Sequence, residues 1–237
     1  HPENTLPAFQ HAIDLGYRYL ETDVHATRDG VLLAFHDEEL DRVTDRTGRI
    51  AEMDYAEVAK ARIDGREAIP LFAELLASWP EARFNIDPKQ DNAAEPLAKV
   101  LKEANALDRV CVTSFSDKRT VGIREILGPR LCTGLGPLGT TRMRFSSLSG
   151  PFSSIWGSFS QGCLQIPTHQ FGVRLVDGRL IDHAHERGLQ VHVWTIDDPD
   201  EMRRLLDLGV DGVMTDRPEV LKSVLEERGD WALNDWF

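Results

Sequence analysis

Two acidic residues in the first strand-like run have the spacing of a cation site. Glu21 and Asp23 lie two residues apart in the run Tyr19–Ala26, and residues at positions i and i+2 of a β-strand share one face, with Cα atoms about 7 Å apart. Two carboxylates on an inward face require a cation, because one of them would otherwise stay protonated. Their oxygen atoms favour Mg²⁺, Ca²⁺ or Mn²⁺ over zinc. A solvated outer face is the alternative, and the apolar neighbours Leu20 and Val24 disfavour it.

Two histidines near this run are candidates for proton transfer or ligation. His36 precedes Asp37 at the end of the run 31–35. Because a histidine titrates close to neutral pH, His36 is a candidate general acid or base. His25 continues the alternation of the two acids. It is either a further ligand or a hydrogen-bonded histidine of the interior, and we favour the second interpretation.

An acid and a base also stand two residues apart at the end of a later strand-like run. Asp87 and Lys89 in the segment 84–89 project to one side of the chain. Asp87 would complete a site of three carboxylates, and Lys89 would meet an anionic substrate. The alternative is an ion pair that only supports the structure.

Composition and charge exclude several functional classes. The 237 residues carry a formal net charge of −12 and no basic stripe, so we expect no nucleic acid partner. No apolar stretch approaches the roughly 20 residues of a membrane-spanning helix. Cys111, Cys132 and Cys163 lie in apolar runs, and we interpret them as small buried hydrophobic residues rather than as a disulfide framework.

Strand-like and helical patterns alternate along the chain, which is typical of an α/β fold with parallel strands. The strand-like runs are 19–26, 32–36, 83–87, 110–115, 131–135, 163–166, 190–195 and 212–215. The helical runs are 5–15, 71–77, 94–104, 118–127, 177–187, 199–208 and 218–227. The expected punctuation includes Asp177 as a helix cap, Gly188 after a helix and Pro218 at the start of the last helix.

The second strand-like run is predicted to return as a hairpin, because Arg28-Asp29-Gly30 before it has the composition of a tight turn. Seven core strands then remain, one fewer than a (β/α)8 TIM barrel contains. The helix at 5–15 has no strand ahead of it, so we expect the first barrel strand upstream of residue 1. The prediction is a single TIM-barrel domain over residues 1–237 with a hairpin and loop insertion at about 28–69. In such a barrel the strand ends, including Ser114-Phe115 and Trp194-Thr195, build the active site.

Several short motifs resemble, in order and spacing, the glycerophosphodiester phosphodiesterase family of the phosphatidylinositol-phosphodiesterase-like TIM-barrel superfamily. The similarity spans nearly the whole chain. The motifs are Pro2-Glu3-Asn4-Thr5, Glu21-Thr22-Asp23-Val24, Thr27-Arg28-Asp29-Gly30, His36-Asp37, Asn85–Lys89, Ser114-Phe115, Val193-Trp194-Thr195 and Gly209–Pro218. Arg42, Thr44 and Gly48 resemble the loop that follows the histidine motif.

The resemblance implies a single metal site. One divalent cation, Mg²⁺ or Ca²⁺ with Mn²⁺ as a further option, would be held by Glu21, Asp23 and Asp87. The family usually carries glutamate where this chain has Asp87. The shorter side chain would require a closer strand or a bridging water.

The resemblance also assigns roles to other side chains. His36 would be one of two catalytic histidines, Lys89 would contact the phosphate, and Trp194 would pack beside the glycerol moiety. The family carries a His-Arg-Gly motif on its first barrel strand. We expect that motif, and with it the second catalytic histidine, upstream of residue 1.

By this resemblance the chain hydrolyses glycerophosphodiesters to sn-glycerol 3-phosphate and an alcohol through a cyclic phosphate, with histidine acid–base catalysis. One alternative is a phospholipase D-like hydrolase of lysophospholipid or sphingolipid head groups. Residues 137–161 would then form a lipid-touching rim, although such a segment is more often a loop folded onto its own barrel. Its apolar residues are Phe145, Leu148, Phe152, Ile155, Trp156 and Phe159. A further alternative is a non-catalytic barrel that binds glycerophosphate or a metal.

The sequence leaves the assembly and the compartment open. Trp231, Trp236 and Phe237 would cap the barrel or meet a second subunit in a homo-oligomer. The cytoplasm is slightly favoured over the periplasm or secretion. Neither the head group of the substrate nor the choice of metal follows from these residues.

Overall fold

The computed structural model describes residues 1–149, 157–170 and 172–231. Strands and helices alternate along the chain and the main strands pair in parallel, which confirms the predicted α/β class. In the described ranges, no helix has the length and apolar character needed to cross a bilayer. The chain divides into two compact units, His1–Thr133 and Gly134–Phe237. A single domain over residues 1–237 stays a prediction.

The first unit is built on a five-stranded sheet with the order β2-β1-β5-β6-β7. Its strands are β1 (Tyr19–Ala26), β2 (Leu32–Ala34), β3 (Arg62–Ile63), β4 (Glu67–Ala68), β5 (Arg83–Pro88), β6 (Val110–Val112) and β7 (Cys132–Thr133). The strands β1, β5, β6 and β7 run parallel, as expected for strands that are connected through helices. The strands β3 and β4 form a separate hairpin.

The pairing of β1 with β5 decides which residues share a face of the sheet. Side chains alternate along each strand. Those that pack into the hydrophobic cluster of the first unit are Leu20, Val24, Phe84 and Ile86. The opposite face carries Glu21 aligned with Asn85, and Asp23 aligned with Asp87. The polar candidates of both strands therefore lie together, away from this apolar core.

The strand β2 runs antiparallel to β1, which confirms the predicted hairpin. Val24 aligns with Ala34, and Gly30 in the turn has a φ of +82°, a left-handed backbone that residues with side chains rarely adopt. The strand ends at Ala34, earlier than predicted. His36 consequently lies in the loop beyond the strand, where the alternation of side chains in the sheet no longer fixes the direction of its imidazole.

The helices of the first unit follow the predicted bounds to within one residue, except for the short α2 in the insertion. They are α1 (Leu6–Leu15), α2 (Tyr55–Val58), α3 (Phe72–Ser78), α4 (Ala94–Glu103) and α5 (Asp117–Leu127), with 3₁₀ turns at Ile50–Glu52, Asp91–Ala93 and Leu107–Arg109. Thr5 caps α1 by accepting a hydrogen bond from the backbone of Ala8, and Ser116 caps α5 in the same way. These local caps explain why the boundaries are legible in the sequence.

The predicted insertion at about 28–69 has a small core of its own. The buried residues of this core are Leu33, Phe35, Leu40, Ile50, Val58, Ala61, Ile63 and Ile69. They hold the β3–β4 hairpin, α2 and a 3₁₀ turn around the loop that begins at His36. The candidate catalytic histidine is thus carried by a packed segment rather than by an extended loop.

The second unit contains a three-stranded parallel sheet with the order β12-β11-β8. Its elements are α6 (Pro137–Leu148), β8 (Cys163–Pro167), β9 (His169–Gln170), β10 (Val173–Arg174), α7 (Gly178–His185), β11 (Gln190–Trp194), α8 (Pro199–Leu208), β12 (Gly212–Val213) and α9 (Pro218–Arg228). Asp177 caps α7 as predicted. Asp211 accepts hydrogen bonds at 2.7 Å from the backbone of Val191 and from His185. This residue of the closing motif therefore ties β11 and α7 together.

The prediction of a loop over 137–161 is wrong for its first half, since Pro137–Leu148 form α6. Proline is favoured in the first turn, where its missing N–H costs no hydrogen bond. The helix buries Met143 and Ser146, and Ser146 lies 2.6 Å from the ring of His183 on α7. Because Ser146 and His183 are far apart in the sequence, no local sequence pattern predicts their contact. Several residues of the earlier predictions lie outside the described residues, namely Phe152, Ile155, Trp156, Trp236 and Phe237.

The prediction of buried cysteines holds only for Cys163. Cys132 is exposed and Cys111 is half-buried, so the prediction is wrong for these two residues. Val110 and Val112 pack into the core, and the alternation of the strand turns Cys111 to the other face, where it aligns with Cys132. The apolar residues around Cys111 and Cys132 predicted the strands, but they did not predict the face of the sheet on which the two cysteines lie.

Candidate active site

The ammonium group of Lys89 bridges two buried carboxylates of neighbouring strands. Its Nζ lies 2.7 Å from Oδ1 of Asp23 and 2.9 Å from Oδ2 of Asp87. Both acids are only 7% exposed. The predicted site residues Asp23, Asp87 and Lys89 therefore meet in one cluster, and the ion pair that the sequence left as an alternative is present.

Burial and charge act against each other in this cluster. Burial raises the pKa of Asp87, and the charge and hydrogen bond of Lys89 offset only part of that effect. Burial works to lower the pKa of Lys89, but the two carboxylates outweigh it and the pKa is raised. The lysine consequently stays charged, while one of its acidic partners resists ionisation. A second positive charge near Asp87 would relieve this cost.

The cluster fits a hard divalent cation in its donor chemistry. Oδ1 of Asp87 is buried and has no hydrogen-bond partner among the described residues. An unsatisfied carboxylate oxygen of this kind is costly unless a cation or water binds it. Glu21 is exposed and lies two residues before Asp23 in β1, on the same face of the sheet. In the described part of the chain, no three His, Cys, Asp or Glu side chains are gathered closely enough to hold a metal, so Glu21 would have to turn towards the pair.

His36 is exposed at 53% of its side chain and is held by its neighbours in sequence and space. Its Nδ1 lies 2.6 Å from Oδ1 of Asp37, and Arg42 binds the same carboxylate. An open cleft of about 230 Å³ lies beside them, lined by Asp37, Glu38, Glu39, Asp41 and Arg42. The cleft thus borders Asp37 and Arg42, which hold His36 through a chain of hydrogen bonds, and His36 itself does not line it.

His25 links this loop to the strand that carries Asp23. The side chain of His25 is completely buried, and its Nε2 donates to the backbone carbonyl of His36 at 3.0 Å. The backbone N–H of Phe35 donates to the carbonyl of Asp23 at 3.0 Å. These contacts confirm the interpretation of His25 as a hydrogen-bonded interior histidine. They also tie His36 to the acid cluster through the backbone.

Arg119, which no sequence motif singled out, orders the end of β5. Its Nη1 donates to the carbonyl of Pro88 at 2.5 Å and to Oγ of Ser114 at 3.0 Å, and its Nε donates to Asp91 at 3.0 Å. Pro88 lies between Asp87 and Lys89, so this arginine supports the backbone of the cluster. A signal existed in the sequence, because Arg119 lies in the first turn of a helix whose cap directly follows the Ser114-Phe115 motif.

Trp194 belongs to the second unit, where it is the last residue of β11 and aligns with Pro167 of β8. Its side chain is half-buried. After it, Ile196 donates its backbone N–H to Met214, and Asp197 accepts hydrogen bonds from Thr215 and Asp216. The closing motif thus forms a folded edge of its own sheet. Contact between Trp194 and a glycerol moiety stays a prediction.

The first unit therefore combines three chemical capacities. Buried carboxylates attract a cation, Lys89 offers a positive charge for an anionic oxygen, and His36 offers an imidazole that can act as a general acid or base. This combination suits a reaction in which negative charge develops on a substrate oxygen.

Comparisons with known proteins agree with this chemistry. Residues 1–220 match the model of the glycerophosphoryl diester phosphodiesterase family. The protein named Probable glycerophosphodiester phosphodiesterase 2 of Mycobacterium tuberculosis is 37% identical over 97% of this chain and 88% of its own length. Lysophospholipase D GDPD1 of Rattus norvegicus is 29% identical over 94% of this chain and 82% of its own length. The crystal structure of a glycerophosphodiester phosphodiesterase from Agrobacterium tumefaciens has a TM-score of 0.74 at 25% identity and covers 93% of both chains. The predicted TIM-barrel fold class is thereby confirmed.

Proposed function

The chain belongs to the glycerophosphoryl diester phosphodiesterase family and is a phosphoric diester hydrolase, and from this premise we propose that it hydrolyses glycerophosphodiesters to sn-glycerol 3-phosphate and an alcohol with the help of one divalent cation. The observation that supports this most strongly is the buried pair Asp23 and Asp87 with Lys89 between them. The pair lies within the residues that match the family. A role in glycerol and lipid metabolism is in keeping with this reaction.

Glu21, Asp23 and Asp87 would hold the cation, Mg²⁺ or Ca²⁺, through oxygen atoms alone. When bound, it would offset the negative charge that develops on the phosphoryl oxygens. The unsatisfied oxygen of Asp87 supports this assignment. Lys89 would donate a charge-assisted hydrogen bond to a phosphate oxygen.

His36 would transfer a proton in a two-step reaction. In the first step, the glycerol hydroxyl next to the phosphodiester attacks phosphorus, and the alcohol leaves with a proton from a general acid. A general base takes the proton of the attacking hydroxyl, and the product is a cyclic phosphate. In the second step, water opens the ring to sn-glycerol 3-phosphate. His36 would be one of the two histidines that serve these steps, and each such role contributes roughly 10²–10⁴ in rate.

A second candidate is hydrolysis of a lysophospholipid at the same bond. The relative from Rattus norvegicus that is named a lysophospholipase D supports it. The two reactions release the same alcohol and differ in whether the glycerol carries an acyl chain. The acid pair, lysine and histidine would serve both substrates.

Choline release tests these candidates on the full chain. Glycerophosphocholine and lysophosphatidylcholine are offered separately, after chelation and again after Mg²⁺, Ca²⁺ or Mn²⁺ is restored. We expect choline from glycerophosphocholine, loss of activity after chelation and recovery with one of the cations. Release only from lysophosphatidylcholine would favour the second candidate. Binding of glycerophosphate with no choline from either substrate would leave the non-catalytic alternative.

Asp23→Asn tests the cation site directly, because it removes one charge of the pair but keeps the size of the side chain. We expect weaker Mg²⁺ or Ca²⁺ binding by calorimetry together with lower turnover. Glu103→Gln on the exposed surface of α4 is the matched control, and it should leave both quantities unchanged. Full activity of the parent protein in excess chelator would contradict the metal proposal.

A further inference from the structure

A chain of charge-assisted hydrogen bonds connects His36 to the N-terminal segment. His36 Nδ1 lies 2.6 Å from Asp37 Oδ1. Arg42 binds Asp37 through two nitrogens, with Nε 2.5 Å from Oδ2 and Nη2 3.0 Å from Oδ1. On its other side the guanidinium binds Glu3, with Nη1 3.2 Å from Oε2 and Nη2 in contact with Oε1. Arg42 thus lies between two carboxylates.

The charge of Asp37 determines which nitrogen of His36 carries a proton. The hydrogen bonds from Arg42 hold the pKa of Asp37 down at about 2. An ionised carboxylate can only accept hydrogen bonds, so Nδ1 of His36 must be the donor. In the neutral imidazole the lone pair then lies on Nε2. That atom is the one available to take a proton from, or return it to, a reacting oxygen.

Hydrogen bonds from two buried side chains attach both ends of this chain to β1. Asn4, the neighbour of Glu3, accepts at 2.7 Å from the hydroxyl of Thr22, which is completely buried in that strand. At the other end, the buried His25 donates to the carbonyl of His36 at 3.0 Å. The relative positions of Glu3 and His36 are therefore set by the strand that also carries Asp23.

Folding stability alone does not explain these ion pairs. The side chains of Glu3, Arg42 and His36 are about half exposed, and ion pairs in contact with water contribute little to stability. The reaction proposed above also leaves the segment Pro2–Thr5 without a chemical role. We propose that Glu3 and Arg42 are positioning residues that act through Asp37 to keep the proton of His36 on Nδ1 and its Nε2 available to the substrate. The inference rests on the role of His36 in the proposed function.

Glu3 has a distinct part in this arrangement. A phosphodiester is an anion, and an arginine that is bound by one carboxylate would also be attracted to the substrate. With Glu3 on its second side, the guanidinium is bound by carboxylates on both sides and stays with Asp37. Glu3→Gln should therefore loosen Arg42 from Asp37 when the substrate binds, although Glu3 does not touch His36.

The test combines kinetics with the tautomer of the His36 ring. Glu3→Gln, Arg42→Gln and Arg42→Lys are compared with the parent chain by long-range ¹H–¹⁵N spectra, in which His36→Gln identifies the signals. We expect the parent to carry the proton on Nδ1, and Arg42→Gln to shift the population towards Nε2. The turnover number of Arg42→Gln should fall about 10- to 10²-fold while KM changes little. Arg42→Lys should restore part of the turnover number and part of the Nδ1 tautomer. Lysine keeps the positive charge but lacks the forked guanidinium group that binds two carboxylate oxygens at once.

Arg130→Gln is the matched control. Arg130 also binds a carboxylate through two close contacts, 2.7 and 2.9 Å from Asp108, and both side chains are more exposed than those of the proposed chain. This variant should leave the turnover number and the His36 spectrum unchanged. The melting temperature, measured for every variant, shows whether a loss of turnover reflects unfolding.

The possible outcomes separate this inference from the proposed function. An unchanged tautomer and turnover in Arg42→Gln and Glu3→Gln would overturn the inference. A rise in KM with an unchanged turnover number would also overturn it, since Arg42 would then bind the substrate itself. If the parent chain releases no alcohol from any glycerophosphodiester, the proposed function fails. The spectra would still show in that case whether Glu3 and Arg42 set the proton of His36.

Discussion

Lys89 reaches across from the end of β5 to place its ammonium group 2.7 Å from the carboxylate of Asp23 on β1. The sequence separates these residues widely, and the parallel register brings them together by aligning Asp23 with Asp87. The lysine occupies the space between two acids that a divalent cation would otherwise be drawn to. In the proposed function its charge would therefore compete with the cation as well as bind the phosphate of the substrate.

Lys89→Met should separate these two effects. Methionine keeps much of the length of the side chain but removes the charge between the acids. We expect Mg²⁺ or Ca²⁺ to bind about tenfold more tightly, which corresponds to about 1.4 kcal/mol, whereas turnover falls and KM for the anionic substrate rises. Calorimetry and steady-state kinetics measure the two changes. The exposed Lys99→Met is the control, and unchanged cation affinity in Lys89→Met would argue against a site at Asp23 and Asp87.

His36→Ala should lower turnover by at least about 10², because a general acid or base is lost. The side chain is 53% exposed and fills no core, so the melting temperature and cation affinity should change little. Choline release, thermal unfolding and calorimetry of cation binding measure these three quantities. His169→Ala, at an exposed position of the second unit, should retain full activity. A His36→Ala variant with more than half of the parent rate would assign the proton transfer to another residue.

Gly212→Ala should destabilise the second unit. A Cβ atom at Gly212 would lie 2.9 Å from Cδ2 of His192, and Gln165 and Gln190 hold that ring in place. We expect the free energy of unfolding in urea to fall by about 1–3 kcal/mol, as for other overpacked sites.

Gly122→Ala is the opposite case and serves as the control for glycine replacement. It lies within α5, and its Cβ would meet no described atom within 4 Å. Alanine should raise the free energy of unfolding by roughly 0.5–1 kcal/mol, because glycine weakens a helix interior. If both substitutions changed stability in the same direction, the close approach at His192 would not be the cause of the loss at Gly212.

The stability of the second unit should depend on the protonation of His183. Burial, followed by the charge of Arg187, lowers the pKa of His183, and Glu186 opposes this only weakly. Arg187 donates to Nδ1 at 2.9 Å, so Nε2 carries the proton that faces Ser146. These contacts therefore favour the neutral form of the His183 ring.

The direction of this pH dependence follows from the difference in proton binding between the folded and the unfolded chain. As the pH falls below about 6.5, the unfolded chain binds a proton at this position before the folded chain does, so the folded state loses stability down to the lowered pKa. His183→Gln should remove this slope between pH 7 and the lowered pKa. Unfolding in urea at several pH values measures it. The buried His25 has a lowered pKa in both proteins and cancels in the difference. Parallel pH profiles of parent and variant would contradict the prediction.

Local chemistry explains what the sequence by itself determined. The bounds of β1, the hairpin turn at Gly30 and the cap of α7 at Asp177 depend on residues a few positions apart, and each was predicted from them. The motifs around Glu21, Asp23, His36, Asp87 and Lys89 pointed to the family because their order and spacing can be read directly from the amino-acid sequence. Alternation along a strand also predicted that Asp87 and Lys89 project to one side.

Only the tertiary structure decided which of these groups meet. The register that aligns Asp23 with Asp87 depends on packing between strands that are about 60 residues apart in the chain. The same holds for α6, whose buried Ser146 finds its partner on α7, and for Arg42, which joins Glu3 to Asp37. No local pattern records such contacts, because their free energy arises from burial and charge between segments that approach each other only after folding.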